Sequence, residues 1–508
     1  MDILTKTISL FFLQRQKNIE KFGQDTDIIQ RRQLHALLAG ARCTEWGRKY
    51  DYKSIRSYED YHQRVPLQTY DDIKPYVERM INGERNILWP SIIRWYAKSS
   101  GTTNDKSKFL PVTNEILRGC HYKGGFDCVA LYLRNNPESR FFSKKGLILG
   151  GSHSPSPLNA QAHCGDLSAV LLQNLSPLVN LMRVPSKRVI LMDEWESKIK
   201  AIVENTWNED VNSLSGVPSW MLVLIKAILQ KAGKENLTEV WPNLEVFFHG
   251  GISFEPYRDQ YKALIPSGKM HYVETYNASE GFFGIQDDPD NPSLLMMQDY
   301  GIFYEFIPMN EVGTSNPTVL PLEAVETNKN YAMVISTTGG LWRYQIGDTV
   351  RFTSLFPHKF VISGRTKHYI NAFGEELMVD NADKALSLTC RETGAKVNEY
   401  TAAPLFILDK AKGRHQWFIE FEEMPPSISE FAALLDKHLQ ELNSDYEAKR
   451  YKDISLQPLE IIISREGVFY DWLKQKGKLG GQHKIPRLSN DRTYLEELLE
   501  VNQREHYN

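Results

Sequence analysis

The sequence predicts an α/β protein with a large N-terminal domain, in which β-sheets are flanked by helices, and a small, mobile α+β C-terminal domain. Short apolar runs typical of strands alternate with helical patterns from residue 92 to residue 364. Beyond residue 367, a predicted hairpin, helix, strand and helix form a unit of about 140 residues, a length that can fold separately. We therefore expect one domain over residues 1–366 and a second over residues 367–508.

The composition is that of an ordinary globular protein, and it argues against two classes of partner. Of the 508 residues, 42% are hydrophobic and 24% are charged, so the chain can bury a sizeable core. The net charge of −3 and the lack of long Lys/Arg runs argue against nucleic acid and against an anionic membrane. No stretch approaches the ~20 apolar residues that span a bilayer. The oligomeric state is left open.

The cysteines indicate reduced thiols. There are five of them, an odd number, and none forms a C-x-x-C pair, which argues against both a disulfide framework and a structural zinc site. This usage is typical of the cytoplasm, and we expect the protein there.

The elements of the large domain begin with helices. Patterns over residues 1–90 predict helices joined by loops, and Pro218 opens a further helix that ends at about residue 231, with proline in its tolerated first turn. The predicted strands of this domain cover residues 92–97, 147–149, 244–248, 272–274, 303–307 and 331–335.

The C-terminal part has its own pattern. Residues 401–408 and 415–421 predict a hairpin, and a helix with apolar residues at helical spacing follows Pro425-Pro426. A strand over residues 459–463 and a short helix over residues 468–473 complete the predicted unit.

One polar segment offers hydroxyl groups and positive charge to a small anion. It lies between the strand at residues 92–97 and a helix that opens at Thr113. A strand that leads through a Gly/Ser/Thr loop towards a helix start is a recurrent phosphate site. The alternative is an ordinary loop, since no Gly-Lys-Ser/Thr closes the segment as a P-loop requires. The candidate phosphate-binding residues are Ser99, Ser100, Gly101, Thr102, Thr103 and Lys108.

Two further polar segments follow predicted strands, where open α/β sheets place their ligands. Gly250 and Gly251 would let a flat ring or a ribose lie against bare backbone, although such a pair is more often only a turn. After residues 272–274, Tyr276 could stack on a base and Glu280 could offer a carboxylate oxygen to Mg²⁺. The alternative for Glu280 is a solvated charge.

Three later positions suit a nucleotide and a hinge. Asp348 follows a glycine and could accept both ribose hydroxyls, or it could make an Asx-type turn. Arg365 lies in a Gly-Arg sequence that suits a hinge from which it reaches the nucleotide, or a β-turn. The loop over residues 476–484 carries three lysines and three glycines, a composition typical of a mobile segment. It is either a solvated linker or, in a nucleotide enzyme, a loop that brings one lysine ammonium group to a charged transition state.

The order of these segments resembles the adenylate-forming superfamily of acyl-CoA synthetases, peptide-synthetase adenylation domains and luciferases. Within it, the chain is most similar to the auxin-responsive acyl acid amido synthetase family, and we expect a bacterial-type member. The resemblance covers most of the chain and rests on four segments, residues 99–113, 276–285, 337–348 and 480–487.

The resemblance implies a role for each matching residue. The hydroxyl loop would hold the phosphates of ATP, Glu280 would hold Mg²⁺, and Lys484 would be the mobile lysine that reaches the acyl phosphate. The AMP portion would contact Tyr276 and Ser279, the ribose Asp348, and the hinge would contain Arg365 and Lys367. The chain departs from the family at Asp105, where a glycine is usual, and a carboxylate there would repel the phosphates.

The resemblance therefore implies an ATP- and Mg²⁺-dependent ligase. It would activate a small carboxylic acid as an acyl-AMP and pass the acyl group to an amine, expected to be an amino acid. Two alternatives stay open: transfer to the thiol of coenzyme A, and a nucleotide-binding sensor without turnover, to which Asp105 points. The acyl pocket is expected between residues 217–220 and the helix after Thr113, although its aromatic residues could equally belong to the core. Those aromatic residues are Tyr122, Phe126 and Tyr132.

Overall fold

The chain forms two compact units. The first comprises Met1–Ile346 with Arg351–Val361, and the second Gly347–Val350 with Ile362–Leu479 and the C-terminal segment. The computed structural model describes residues 2–99, 108–151, 156–157, 162–192, 194–252, 254, 257–366, 369–370, 372–373, 375, 377–407, 412–450, 456–477, 479 and 485–504.

Helices dominate the start of the first unit, as predicted for residues 1–90. The predicted helix at Pro218 is confirmed as well; it ends at Gly233, whose φ of 65° is the left-handed conformation that favours glycine. The helices are α1 (Ile3–Ser9), α2 (Leu13–Glu20), α3 (Thr26–Ala41), α4 (Glu45–Lys49), α5 (Tyr58–Arg64), α6 (Tyr70–Ile81), α7 (Asn114–Ile116), α8 (Lys123–Asn135), α9 (Leu167–Gln173), α10 (Pro177–Leu181), α11 (Lys187–Ile190), α12 (Trp195–Thr206), α13 (Pro218–Ala232) and α14 (Arg258–Leu264). A π-helical turn, Leu117–Tyr122, joins α7 to α8.

Among the described residues, sixteen strands begin in the first unit and form two sheets, ordered β2-β1-β5-β4 and β13-β12-β14-β15-β16-β11-β10-β9-β8-β7-β3-β6. All six predicted strands are present. The strands are β1 (Trp95–Ser99), β2 (Lys108–Val112), β3 (Lys145–Ile148), β4 (Ser156–Pro157), β5 (His163–Gly165), β6 (Arg183–Val184), β7 (Val211–Gly216), β8 (Val246–Gly250), β9 (His271–Ala278), β10 (Gly281–Ile285), β11 (Leu294–Met296), β12 (Ile302–Pro308), β13 (Leu320–Pro321), β14 (Asn330–Thr337), β15 (Tyr344–Leu355) and β16 (His358–Arg365).

Five neighbouring strands of the large sheet, β6, β3, β7, β8 and β9, are parallel. Helices α12, α13 and α14 pack on them through a buried core that includes Leu147, Leu214, Ile225, Phe247 and Tyr261. Because parallel strands end at the same edge of a sheet, the segments that follow β3, β7, β8 and β9 lie side by side.

The second unit is a small α+β domain, and the predicted hairpin, helix, strand and helix are confirmed. Its sheet has the order β19-β20-β21, and Tyr400 stacks on Trp417 in its core with 5.2 Å between ring centroids. The elements are β17 (Tyr369–Ile370), β18 (Leu377–Met378), α15 (Val379–Thr393), β19 (Lys396–Ile407), β20 (Lys412–Glu423), α16 (Ile428–Leu442), α17 (Ser444–Arg450), β21 (Glu460–Ile463), α18 (Val468–Gln475) and α19 (Thr493–Arg504).

The predicted fold class, a large α/β domain followed by a small α+β domain, is thus confirmed. Within the described part of the chain, we find no helix with the length and apolar character needed to cross a bilayer. Among the described residues, no cysteine forms a disulfide bond.

Three buried histidines predict that the first unit loses stability in mild acid. Burial lowers the pKa of His121 to about 4, of His249 to about 3 and of His358 to about 4. Below about pH 6.5 the unfolded chain binds protons that these folded side chains do not, so the free energy of unfolding should fall from pH 6.5 towards pH 4.

Urea unfolding of the full chain between pH 4.5 and 7.5, followed by tryptophan fluorescence, measures this slope. His358→Gln should reduce it. His35→Gln, at an exposed position on α3, serves as the control and should leave the slope unchanged. A slope that His358→Gln does not alter would contradict the assignment to buried histidines.

Candidate active site

The predicted phosphate-binding segment joins the two strands of a hairpin. β1 and β2 are antiparallel, and Ser99 pairs with Lys108 across them. The loop between them, with Ser100, Gly101, Thr102, Thr103 and Asp105, lies outside the described residues. The predicted helix start at Thr113 is confirmed, because the Thr113 hydroxyl accepts a hydrogen bond from Ile116 N at 3.0 Å. Strand β2 was not predicted; it contains Pro111, which is tolerated because β2 is an edge strand.

Helix α6 holds the start of β2. The Tyr70 hydroxyl accepts a hydrogen bond from Phe109 N at 2.8 Å, and Lys108 Nζ lies 5.7 Å from the centroid of the Tyr70 ring. Lys108 therefore lies beside the aromatic face of Tyr70 where β2 begins.

The segment over residues 337–343 packs against the start of this helix. The Thr113 hydroxyl donates to the carbonyl of Thr338 at 2.9 Å, so two of the four family segments are directly bonded. The Gly340 φ of 84° is in the left-handed region, and a Cβ there would lie 3.1 Å from Leu88 Cβ. Both the backbone conformation and the space at this position favour glycine.

Asp348 and Arg365 are bonded to each other in the second unit. Asp348 lies within β15, so the alternative of an Asx-type turn is wrong. Arg365, at the end of β16, donates from Nε to Asp348 Oδ1 at 2.8 Å. The structure thus brings together two of the residues predicted to contact the nucleotide, and the pairing holds the Asp348 carboxylate in one orientation.

Gly250 and Gly251 lie at the carboxyl edge of the parallel strands. A Cβ at Gly250 would lie only 2.2 Å from the carbonyl oxygen of Thr275 on β9, so the backbones approach too closely for any other residue. Gly251 has a φ of 88°, and a Cβ there would lie 3.4 Å from Val217, which precedes α13. This edge therefore joins the glycine pair to the residues expected to line the acyl pocket.

Ser279 and Glu280 form the turn between β9 and β10, since Ala278 pairs with Gly281. Hairpin turns are normally exposed, but these residues are only 6% and 7% exposed. Tyr276 is also buried, with Phe283 and Phe360 at ring-centroid distances of 4.9 and 6.2 Å. Glu280 is therefore not a solvated charge, and buried charges in proteins are either paired or bound to a metal.

The three aromatic residues expected to line the acyl pocket do not share one surface. The Tyr122 hydroxyl donates to the carbonyl of Leu171 at 2.8 Å. Phe126 is 47% exposed and contacts Phe12, with 4.2 Å between ring centroids, while Tyr132 is buried. The π-helical turn before α8 alters the helical spacing on which this expectation depended.

Two residues that the sequence did not single out, Cys120 and His121, contact the Glu280 hairpin. His121 Nδ1 lies 2.9 Å from Asn277 Oδ1, and Cys120 Sγ accepts a hydrogen bond from Phe282 N at 3.1 Å. Both lie in the π-helical turn, which no periodic pattern in the sequence reveals.

Lys484 lies outside the described residues, but the segment after it is anchored in the second unit. The carbonyl of Pro486 accepts a hydrogen bond from the Thr401 hydroxyl at 2.6 Å. Arg487 forms ion pairs with the buried Asp383 at 3.0 Å and the half-buried Glu399 at 3.1 Å. These contacts fix the chain within three residues of Lys484.

The part of the chain that the structure describes holds no cluster of three His, Cys, Asp or Glu side chains that could bind a metal by themselves. Mg²⁺ in nucleotide enzymes often uses one or two carboxylates and completes its shell with phosphates and water. The single buried carboxylate of Glu280 fits that donor set.

The fold is shared with a solved acyl acid amido synthetase. The GH3.15 acyl acid amido synthetase superposes with a TM-score of 0.75 at 19% identity, over 95% of this chain and 94% of that one. A 2-hydroxyisobutyryl-CoA ligase superposes with a TM-score of 0.57 at 13% identity, over 94% of this chain and 92% of that one.

The sequence comparisons define the family. The GH3 family N-terminal, central and C-terminal domains match residues 15–270, 295–365 and 380–493. The indole-3-acetic acid-amido synthetase GH3.3 of Arabidopsis thaliana is 25% identical over 92% of this chain and 90% of its own length. The 4-substituted benzoates-glutamate ligase GH3.12 of the same plant is 23% identical over 93% of this chain and 94% of its own length. The chain belongs to the GH3 family, and the predicted family is thereby confirmed; a bacterial-type origin stays a prediction.

The close approach at Gly250 predicts a steric effect. Gly250→Ala should destabilise the first unit by about 1–3 kcal/mol, because its methyl group meets the backbone of Thr275 and neither strand can move freely. Gly268→Ala is the control, since a Cβ there has no neighbour within 4 Å. Thermal unfolding of the two variants, compared with the unaltered chain, measures the difference. Equal midpoints for the two variants would contradict the described strand register.

Proposed function

We propose that this protein uses ATP to activate a small carboxylic acid as an acyl-AMP and then transfers the acyl group to the amino group of an amino acid. The observation that carries this proposal is the match of three GH3 family domains, in order, along most of the chain. Amido synthetase is the enzyme class expected from the sequence, and the family confirms that class. The identities of the acid and of the amino acid stay open.

The first step joins a carboxylate to phosphorus. A carboxylate oxygen of the substrate attacks the α-phosphorus of ATP, the bond from that phosphorus to the bridging oxygen breaks, and pyrophosphate leaves. Catalysis here depends on positioning and on neutralising charge. We assign the phosphates to Ser99, Ser100, Gly101, Thr102, Thr103 and Lys108, and the developing charge to Lys484.

The remaining contacts of the nucleotide are proposed on the same basis. Tyr276, Ser279 and the glycine pair Gly250 and Gly251 would contact the AMP portion, and Asp348, held by Arg365, would contact the ribose. Glu280 would hold Mg²⁺, which neutralises phosphate charge when bound. The burial of Ser279 and Glu280 supports their assignment.

The second step forms the amide. The nitrogen of an unprotonated amine attacks the acyl carbonyl carbon, a C–N bond forms, the C–O bond to AMP breaks, and the amine loses a proton. We propose that a C-terminal domain over residues 367–508 moves between the two steps, with Arg365 and Lys367 at the hinge. The compact second unit, most of which follows Ile362, supports a separate C-terminal body. A cytoplasmic location stays a prediction from composition.

Exchange of labelled pyrophosphate into ATP, over a panel of carboxylic acids, tests the first step. At least one acid should support exchange, and Lys484→Ala should lower the exchange rate about 100-fold or more, because a charge that stabilises the transition state is lost. The affinity for ATP should change little. Lys476→Ala is the matched control, because Lys476 is already ion-paired to Glu497 at 2.9 Å.

The outcomes separate an enzyme from a nucleotide-binding sensor. Absence of exchange with every acid, in protein that binds ATP, would contradict the proposed ligase and favour the sensor to which Asp105 points.

The likeness in fold to a CoA ligase makes thiol transfer the second candidate. An acid that supports exchange should give a product with the mass of an amide when amino acids are supplied, and no acyl-CoA when coenzyme A is supplied. Mass spectrometry of the two reactions decides between the acceptors, and acyl-CoA as the main product would contradict amide formation.

A further inference from the structure

We propose that Cys120 and His121 are positioning residues that fix the turn carrying Glu280, and so set the affinity of the site for a nucleotide-bound divalent cation. This inference rests on the proposed function of Glu280. Neither residue is expected to touch the cation; both act through the hairpin that carries the carboxylate.

The first observation is that the side chains of Cys120 and His121 bond to two directly paired residues on the two strands of one hairpin. His121 bonds to Asn277 on β9, and Cys120 accepts from Phe282 on β10. Asn277 and Phe282 are partners in the β9–β10 register, one pair before Ala278 and Gly281. The π-helical turn therefore binds the hairpin immediately before its turn.

The second observation is the close fit between helix and hairpin. A Cβ at Gly124, in the first turn of α8, would lie 2.4 Å from the ring of Phe282. The strand register also shifts between Phe282 and Gly284, which marks a β-bulge. Bulges and π-helical turns are both over-represented at functional sites, and here they face each other. The hairpin cannot slide along the helix without breaking these contacts.

The third observation is that a buried polar atom is left without a partner. Among the described residues, His121 Nε2 has no hydrogen-bond partner, although it is buried. Burial without a partner costs free energy, so an atom of this kind requires an explanation. The imidazole is uncharged at neutral pH, because burial lowers its pKa to about 4. A neutral donor can hold Asn277 without placing a second positive charge near the cation that Glu280 would bind.

The position of the π-helical turn along the chain explains why this contact matters. The helix begins at Thr113, directly after the hairpin whose loop is assigned to the phosphates. Cys120 and His121 connect the end of β2 to the Glu280 hairpin through a single short stretch of helix.

Binding of Mn²⁺ in the presence of a non-hydrolysable ATP analogue, followed by electron paramagnetic resonance, tests the proposal on the full chain. His121→Leu keeps the volume but removes the donor, and it should weaken Mn²⁺ binding about 10- to 100-fold, as is typical of residues that orient a metal ligand. His121→Asn, which can still donate to Asn277, should recover most of the affinity. Cys120→Ala should weaken Mn²⁺ binding and Cys120→Ser should recover it.

The matched control is Cys128→Ala. Cys128 is a buried thiol on α8, the helix that follows the π-helical turn, and its truncation also removes one buried sulfur atom. It should lower the midpoint of thermal unfolding but leave Mn²⁺ affinity unchanged. If His121→Leu does not fold, the comparison of Cys120→Ala with Cys120→Ser tests the same contact.

The outcomes are distinct. Two results would overturn the positioning role. One is that folded His121→Leu and Cys120→Ala both keep the Mn²⁺ affinity of the unaltered chain. The other is that Cys128→Ala loses as much Mn²⁺ affinity as these two variants. Glu280→Gln separates this result from a failure of the proposed function. If Glu280→Gln retains full Mn²⁺ affinity, the metal assignment itself is wrong and the positioning role is overturned with it. If Glu280→Gln loses affinity while His121→Leu keeps it, only the positioning role is overturned.

Discussion

The parallel register of β7, β8 and β9 is the constraint on which the candidate site depends. Gly216 pairs with His249, and Gly250 pairs with Thr275, so the three strands reach the same edge of the sheet. β9 continues three residues beyond its last pair with β8 before it turns at Ser279 and Glu280. The turn therefore projects beyond Gly250 and Gly251. A ligand lying on the bare backbone of these glycines would meet the carboxylate of Glu280 there.

Hydrogen bonds from one short helical stretch then connect the separate segments of the first unit. Thr113 bonds to Thr338, and the π-helical turn bonds to both strands of the Glu280 hairpin. The same stretch of helix therefore bonds both to the segment at Thr338 and to the Glu280 hairpin, so these two segments share one support.

The sequence predicted the fold class and many of the elements, because long apolar runs and helical spacing are local patterns that do not depend on distant residues. It missed β7, in which the buried Asn212 donates to the carbonyls of Arg140 and Phe141 and so makes a polar strand stable. It placed Asp348 after a strand rather than inside one, because Gly347, with a φ of 89°, interrupts the pattern of β15. Glu280 was named, but its burial depends on contacts from residues far away in the sequence. The π-helical turn has no sequence signal, so Cys120 and His121 could be found only from the structure.

The anchoring of the C-terminal segment bears on how Lys484 could act. Pro486 and Arg487 are fixed to β19 and α15 by one hydrogen bond and two ion pairs, of which the pair with Asp383 is buried. Two residues of chain span at most about 7 Å, so the Cα atom of Lys484 stays within that distance of Pro486 in any conformation. Breaking a buried ion pair by removing one partner costs about 3–5 kcal/mol, so the pair between Arg487 and Asp383 contributes strongly to this anchor. The covalent chain therefore ties Lys484 to the body to which Arg487 is bound.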